Sequence, residues 1–310
     1  MTAINSPFRY AGGKFYARKL ILEHITEHDC YIEPFAGGGS IFFAKDKVAT
    51  NILNDVDTEL INCYLQIRDN VEGLIALLSG LPATKELHHF YKNAYTPSNN
   101  LERAFRWYYL NRTSYSGIMN PANCYWGYGD KYSMQPKNWP AHLRRCSVKL
   151  QGVTLSCRDF ETVIETAPDG SFLFVDPPYF NADQDKFYVY SFNHESHVRL
   201  ASALHLHRKR LRFLLTYDNS PEVRELYGWT DTILEKEWNY TINRTDDQTG
   251  KANGKGRRCT GKELFIMNYV EASKNSYLES IQLCLPNIGI LDVYSQAACA
   301  FSVAIHEETL

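Results

Sequence analysis

The sequence predicts an α/β fold in which a largely parallel sheet is interrupted by one long helical segment. Short apolar runs typical of strands occur before residue 55 and again after residue 150. A run of three glycines follows the first strand, and the residues between the two strand regions show helical periodicity. A strand, a glycine turn and a helix in that order begin a βαβ unit, so the later strands are expected in the same sheet.

Composition restricts the classes of protein that the chain can belong to. Its 310 residues are 44% hydrophobic and 22% charged, which is typical of a soluble globular protein with one large or two modest domains. No apolar stretch approaches the roughly 18 residues of a membrane helix, and the first residues do not resemble a signal peptide, so we expect a cytoplasmic protein without membrane contact. The eight cysteines form no C-x-x-C pair, which argues against zinc ribbons and for reduced thiols.

The first elements are predicted from apolar periodicity and turn residues. Apolar residues between positions 20 and 25 predict a helix over residues 14–27. The elements expected next are a strand at 31–33, a helix at 41–45 and a strand at 50–53 that ends on Asn54-Asp55.

The middle and late parts of the chain differ in texture. Residues 58–150 have helical periods rich in Tyr and Trp, and Asn99 with Glu102 three positions later predicts the N-cap of a helix over 101–110. Residues 271–310 contain apolar clusters and no motif that predicts a role. Late strands are predicted at 153–157, 171–175, 212–217 and 263–269.

The glycine turn does not match the nucleotide-binding patterns. Phe42 stands where a dinucleotide fingerprint needs its third glycine, and Gly12-Gly13-Lys14 lacks the remainder of a phosphate loop. A glycine loop after the first strand still lets a ligand approach the backbone closely, which suits S-adenosylmethionine because that molecule carries no phosphate. The alternative is a tight turn with no ligand.

Asp176-Pro177-Pro178-Tyr179 is the sharpest motif, because it directly follows the predicted strand at 171–175. The carboxyl ends of parallel strands are where α/β folds place their chemistry. A carboxylate and a backbone carbonyl there can each accept an N–H from an exocyclic amine, while a tyrosine ring stacks on the base. The alternative is a turn that only ends the strand.

The motifs together resemble the Dam-type (D12 class) DNA adenine-N6 methyltransferases over roughly residues 6–270. The similarity rests on the order and spacing of Phe8 to Lys14, Glu33 to Ser40, Asn54-Asp55 and Asp176 to Tyr179. The resemblance implies a Rossmann-like S-adenosylmethionine-dependent methyltransferase sheet with an inserted helical target-recognition domain. The implied divisions are a discontinuous catalytic domain (1–57 and 151–270), the insertion (58–150) and an extension (271–310).

The resemblance also implies roles for single residues. Asp176, Pro177, Pro178 and Tyr179 match the catalytic motif, in which Asp176 is the acid and Tyr179 the stacking aromatic. Implied contacts to the cofactor come from Tyr10, Lys14, Glu33, Pro34, Phe35, Gly37, Gly39, Asp55, Asp159, Phe160 and Asp176. Within this set, Asp55 matches the acid that binds the ribose hydroxyls, and Asp159 with Phe160 matches the pair beside the adenine of the cofactor.

Contacts to double-stranded DNA are expected despite a net charge of −2. The DNA-binding residues that we predict are Arg112, Tyr115, Lys255, Arg257 and Arg258. The last three lie in a basic, glycine-rich loop at the position of a family hairpin that approaches DNA. A second basic cluster, at residues 199–212, is better interpreted as a solvated helix face.

The sequence therefore predicts an enzyme that methylates the N6 amine of a flipped adenine at a specific DNA site. No H-E-x-x-H or G-x-S-x-G pattern is present, so no metal is expected. Methylation of cytosine N4, of an RNA base or of a protein amide, a non-catalytic DNA-binding module and a nucleotide-dependent oxidoreductase are the alternatives. A monomer on DNA is expected, and a cognate restriction endonuclease is a candidate partner if the chain belongs to a restriction–modification system rather than to a phage or an unpartnered system.

Overall fold

A seven-stranded mixed sheet forms the centre of the protein. The computed structural model describes residues 4–10, 12–131, 133–181, 190–239 and 260–270. The strands are β1 (Cys30–Glu33), β2 (Thr50–Asn54), β3 (Thr154–Ser156), β4 (Phe172–Val175), β5 (Arg212–Asp218), β6 (Thr232–Asn239) and β7 (Thr260–Met267).

The strand order is β3-β2-β1-β4-β5-β7-β6. Neighbours from β3 through β5 are parallel, whereas β7 pairs antiparallel with both β5 and β6. The first five strands thus follow the doubly wound order 3-2-1-4-5, whose direction reverses between β1 and β4. Ligands of such sheets bind where the order reverses, outside the carboxyl ends of the strands.

Helices cover both faces of the sheet. Phe172 and Phe174 of β4 belong to one apolar cluster, and Leu173 and Val175 belong to the other, as expected when successive side chains point to opposite faces. The helices are α1 (Arg18–Leu22), α2 (Ser40–Ala44), α3 (Thr58–Asp69), α4 (Val71–Leu78), α5 (Lys85–Asn93), α6 (Asn100–Thr113), α7 (Trp139–Leu150), α8 (Phe160–Thr166), α9 (His194–His207) and α10 (Pro221–Leu226).

The segment at 58–150 is helical, as the sequence predicts. Its buried residues, among them Tyr64, Tyr108 and Trp139, share one apolar cluster with Tyr31 and Phe172 of the sheet. Residues 1–269 accordingly form one compact unit. A role of this segment in target recognition remains a prediction.

Most predicted elements occur within one or two residues of their expected bounds. The predicted cap of α6 is confirmed, because Asn99 Oδ1 accepts the Glu102 N–H at 2.9 Å. The predicted helix at 14–27 is only α1, which has no side-chain cap at its start. Strand β6 was not predicted, since Glu235, Lys236 and Glu237 interrupt its apolar pattern and it lies at the sheet edge.

Further features of the described residues bear on the expectations from composition. The five cysteines among them, Cys30, Cys63, Cys124, Cys146 and Cys157, are free thiols. No helix in the described part of the chain is long and apolar enough to cross a membrane.

Glu33, at the end of β1, is the most confined carboxyl group near the predicted site. It is 1% exposed, and its Oε1 accepts the Tyr31 hydroxyl at 2.7 Å and the Phe42 N–H at 2.8 Å. Burial raises the pKa of Glu33 to about 8, so the folded state favours the neutral carboxyl at neutral pH. The residue thereby ties β1 to the first turn of α2.

Glu33→Gln should remove part of the loss of stability that the protein shows at alkaline pH. A raised folded-state pKa contributes stability that is complete below the ordinary value of 4.5 and is lost as pH rises through about 8. Glutamine keeps an acceptor for Tyr31 and Phe42 and cannot ionise. We therefore expect the free energy of unfolding of the variant to rise relative to wild type between these two pH values, measured by denaturant titration. The exposed Glu222→Gln is the matched control, and equal pH dependence in Glu33→Gln and wild type would contradict the assignment.

Candidate functional site

The predicted motifs meet at the point where the strand order reverses. Residues 34–39 follow β1, and residues 176–179 follow the neighbouring parallel strand β4, where Tyr31 pairs with Phe172 and Ile32 with Leu173. Parallel neighbours place their carboxyl ends at the same edge of the sheet. The two motifs, far apart in sequence, are therefore adjacent in the fold.

The turn after β1 requires glycine at two positions. Gly37 and Gly39 have φ of 46° and 62°, a region that side-chain-bearing residues rarely adopt. A Cβ atom at Gly37 would also lie 2.9 Å from the ring of Tyr10, which packs against this turn. Tyr10 and the two glycines thus form a close-packed backbone surface.

Asp55, at the end of β2, holds that turn from below. Its Oδ2 accepts the Gly37 N–H at 2.8 Å and its Oδ1 accepts the Asp57 N–H at 3.0 Å. The Tyr64 hydroxyl donates to the Gly37 carbonyl at 2.9 Å, so both polar groups of this glycine are bonded. Burial raises the pKa of Asp55 to about 6, against the opposing effect of the two N–H donors.

Asn54 connects the ends of three parallel strands. Its Nδ2 donates to the carbonyls of Pro34 at 3.0 Å and Arg158 at 2.9 Å. Its Oδ1 accepts the Ser156 hydroxyl at 2.7 Å and the Arg158 N–H at 2.9 Å. One buried amide therefore fixes the loops after β1 and β3 relative to β2, which determines the shape of this side of the site.

An aromatic wall lies beside the glycine turn. The rings of Phe35 and Phe160 stack with centroids 5.3 Å apart, and Phe192 packs edge-on against Phe35 at 5.6 Å. Asp159 caps α8 by accepting the Glu161 N–H at 3.0 Å, and it forms a 2.8 Å ion pair with Arg199. Of the pair Asp159 and Phe160, the apolar member thus belongs to the wall while the acid caps the adjacent helix.

The Asp176 carboxylate is held by two donors on one of its oxygens. The Lys14 ammonium lies 2.6 Å from Asp176 Oδ1, and the Thr216 hydroxyl donates to the same atom at 2.7 Å. Lys14 is 4% exposed, whereas the Asp176 side chain keeps 19% of its surface accessible. The cation and the hydroxyl fix the acid and leave Oδ2 available to another donor.

Tyr179 is anchored at its hydroxyl and covered by a cation. The hydroxyl donates to Glu263 Oε2 in β7, and the Lys14 ammonium lies 4.8 Å from the ring centroid. The next two residues are held by Asp218 at the end of β5, which accepts the Phe180 N–H at 2.8 Å and the Asn181 amide at 3.0 Å. The whole segment after β4 is therefore fixed from β5 and β7.

Together these groups form a cleft with a glycine floor, an aromatic wall and a held carboxylate beside an aromatic ring. A family model described as "D12 class N6 adenine-specific DNA methyltransferase" matches residues 10–242 of the chain, which include the glycine turn, Asp55 and the motif at 176–179. The chain belongs to the D12 class of N6 adenine-specific DNA methyltransferases. The resemblance stated from the motifs is thereby confirmed.

Curated relatives agree with this membership of the D12 methyltransferases. The chain is 34% identical over 236 residues to a DNA N-6-adenine-methyltransferase of Escherichia phage P1, covering 72% of this chain and 31% of that protein. It is 28% identical to the type II methyltransferase M1.LlaDCHI of Lactococcus lactis subsp. cremoris, covering 85% of this chain and 95% of the relative. The DNA adenine methylase of Escherichia coli (strain K12) is 26% identical, with coverage of 71% and 82%. The chain thus spans about a third of the phage protein and nearly all of the Lactococcus enzyme.

Sequence reasoning missed three residues of this D12 site, namely Thr216, Asp218 and Glu263. Thr216 and Asp218 are polar residues at the carboxyl end of β5, next to β4, and that position is a usable signal. Glu263 is a lone acid directly before the apolar run Leu264–Met267, which is the pattern of a buried charge with a purpose.

The predicted DNA-binding residues are only partly described. Arg112 is 5% exposed and donates to the Pro7 carbonyl at 3.5 Å, and the Tyr115 ring is 45% exposed. Lys255, Arg257 and Arg258 lie outside the described residues, as does most of their loop. DNA contact by these five residues therefore remains a prediction.

The basic cluster at 199–212 contains two arginines with partners in the protein. Arg199 pairs with Asp159 and Glu161, and Arg210 donates to the carbonyls of Ile164 and Glu165. These contacts agree with the interpretation of the cluster as a helix face. Among the described residues, no group of three or more His, Cys, Asp or Glu side chains is arranged to hold a metal ion.

Thr216→Val should lower methyl transfer by about ten-fold, because it removes a hydrogen bond to the charged Asp176 while keeping the side-chain volume. Thr216→Ser keeps the hydroxyl and serves as the matched control, with a rate near that of wild type. Single-turnover transfer of labelled methyl groups to DNA measures the difference. Equal rates for the valine and serine variants would show that the hydroxyl does not hold the acid.

Proposed function

We propose that this site transfers a methyl group from S-adenosylmethionine to the N6 amine of an adenine flipped out of duplex DNA. The observation that carries the proposal is the Asp176 carboxylate, fixed by Lys14 and Thr216 at the carboxyl end of β4 with one oxygen left for an incoming donor. It is supported by membership of the D12 class.

The glycine turn and its surroundings fit S-adenosylmethionine. A Cβ atom at Gly37 would meet the Tyr10 ring, so the turn presents bare backbone there, and the aromatic wall of Phe35 and Phe160 offers apolar surface for an adenine. Asp55 supplies a carboxylate for hydroxyl donors at the end of β2, where the resemblance expects the ribose. When bound, the cofactor supplies an electrophilic methyl group on a sulfonium.

Asp176 prepares the amine for attack. The nitrogen lone pair of an exocyclic amine is delocalised into the ring, and acceptors that bind its N–H groups favour the tetrahedral geometry and the positive charge that develop during methylation. The available Asp176 oxygen is one acceptor, and backbone carbonyls of the Pro177-Pro178 segment, which has no N–H groups, supply the second. A strong base is unnecessary because the amine proton becomes acidic once the methyl group has arrived.

Tyr179 supplies the surface on which the flipped base stacks. Extrusion of a base costs a few kcal/mol. Stacking on an aromatic ring returns about 1 to 3 kcal/mol of that cost. The ring is held by Glu263 before any base arrives, so little ordering of this side chain is needed during binding.

The helical segment at 58–150 is assigned to target recognition, with Arg112 and Tyr115 near the DNA and the basic loop of Lys255, Arg257 and Arg258 on the phosphates. The enzyme is expected to act in the cytoplasm, as a monomer on its site. The name "type II methyltransferase" of the Lactococcus relative makes a cognate restriction endonuclease a candidate partner.

Asp176→Ala should lower the single-turnover rate by on the order of 10²–10³, the size seen when one preorganised group at a transition state is removed. The fold should persist, because Asp176 follows β4 rather than packing in its core. Rates are measured at saturating cofactor and DNA, beside a thermal melt of the variant. A variant that keeps more than about a tenth of the wild-type rate, against the expected loss, would remove Asp176 from the chemistry.

Asp55→Ala should weaken cofactor binding by about ten-fold to a hundred-fold, because hydrogen bonds to charged groups contribute about 1.5 to 3 kcal/mol each. The carboxylate holds Gly37 and is the expected ribose ligand, so both effects act in the same direction. Calorimetry gives the cofactor Kd, and DNA affinity measured without cofactor is the internal control. An unchanged cofactor Kd would contradict the assignment.

The proposal as a whole is tested by incubating the protein with labelled S-adenosylmethionine and duplex DNA that carries no methylated adenine. We expect label in the DNA with wild type and almost none with Asp176→Ala. Label confined to RNA or protein substrates, or none at all, would overturn the proposed function. Sequencing of the methylated DNA then gives the recognition site.

A further inference from the structure

We propose that Glu263 is a positioning residue for the methyl transfer: it holds the Tyr179 ring by its hydroxyl and shares the Lys14 ammonium with Asp176. This inference rests on the proposed function and assigns a role within that same site. The role follows from the place of Glu263 in the sheet, its contacts and the charges around it.

Glu263 reaches the site because β7 is inserted antiparallel between β5 and β6. In the register of these strands it lies opposite Asp218 of β5 and Lys236 of β6. The side chain is 2% exposed, and the next four residues of β7 are fully buried apolar ones. A carboxyl group in such a strand loses its hydration, so partners inside the protein must compensate.

Both partners of Glu263 belong to the predicted catalytic and cofactor-binding sets. Oε2 accepts the Tyr179 hydroxyl and lies 4.0 Å from the Lys14 ammonium. That ammonium is in turn 2.6 Å from Asp176 Oδ1. One side chain of β7 therefore reaches the stacking ring directly and the catalytic acid through a shared cation.

The second oxygen of Glu263 is buried and unsatisfied. Oε1 has no hydrogen-bond partner among the described residues. A buried acceptor without a donor is destabilising, and such groups concentrate where function requires them. The carboxyl group is thus not explained by packing of the strand alone.

The charges around Glu263 determine how it acts on Asp176. It is faced by the cations Lys14 and Lys236, the acids Asp176 and Asp218, and the Tyr179 hydroxyl. Burial raises the pKa of Glu263 to about 7, while Lys14 and Tyr179 oppose the rise and the two acids add to it. The group therefore changes its charge near neutral pH.

The ionised form is the one that favours the reaction. An ionised Glu263 attracts the Lys14 ammonium away from Asp176, which leaves the catalytic carboxylate a better acceptor for the amine. It also strengthens the hydrogen bond from Tyr179, which fixes the ring more firmly. Once Glu263 is protonated, Lys14 pairs with Asp176 alone and competes with the amine for that carboxylate.

The experiment compares Glu263→Gln with wild type in single-turnover methyl transfer, at saturating cofactor and DNA, from below to above neutral pH. Wild type should speed up as pH rises through about 7, the pKa of Glu263. Glu263→Gln should lose this rise and be about ten-fold slower than wild type at alkaline pH, the effect expected when the hydrogen bond and the cation lose their charged partner. The matched control is Glu237→Gln in β6, an exposed acid paired with Lys262 at 3.1 Å, which should retain the rate and profile of wild type.

Tyr179→Phe provides a second test that leaves Glu263 in place. Loss of the hydroxyl removes an interaction that lowers the pKa of Glu263, so the inflection of the rate profile should move to higher pH. Carbon-13 NMR of glutamate-labelled protein, with the signal assigned by its absence in Glu263→Gln, follows the same titration in the free protein. If Glu263→Gln does not fold, Tyr179→Phe still decides the matter through the rate profile.

The outcomes separate this inference from the proposed function. A wild-type protein that transfers no methyl group to DNA overturns the proposed function and, with it, the positioning role. An active wild type whose pH profile survives in Glu263→Gln overturns the role of Glu263 alone. An inflection that does not move in Tyr179→Phe has the same consequence.

Discussion

The Lys14 ammonium is the interaction on which the site depends. It is almost fully buried, lies 2.6 Å from Asp176 and 4.0 Å from Glu263, and donates to the Gly12 carbonyl at 3.1 Å. A buried cation must be paired and hydrogen-bonded to be tolerated in the folded state. This requirement holds together the N-terminal loop, the segment after β4 and strand β7, which are distant in sequence.

The other half of the cleft depends on two adjacent residues at the end of β2. Asn54 bonds the loops after β1 and β3, while Asp55 bonds the glycine turn. Both side chains are buried, so their polar atoms must find partners in the protein, and backbone groups of the loops supply them. The cleft is therefore built before any ligand binds, which is the arrangement that electrostatic catalysis requires.

The sequence predicted the parallel part of the sheet well, because its strands are apolar runs that end in recognisable turns. The glycine turn and the motif at 176–179 indicated where the site lies, since both follow strands. The antiparallel insertion of β7 could not be read from local pattern, and the role of Glu263 depends on that pairing. Glu33, expected at the cofactor, bonds Tyr31 and the start of α2 through its Oε1, a distinction that requires side-chain positions.

The central claim is that the held carboxylate of Asp176 directs methylation to the exocyclic amine of adenine. The most direct measurement is mass spectrometry of nucleosides released from duplex DNA after incubation with the enzyme and S-adenosylmethionine. We expect N6-methyladenine as the methylated base, in amounts that increase with time. Methylation at cytosine N4, or on a ring carbon, would contradict this account of the site.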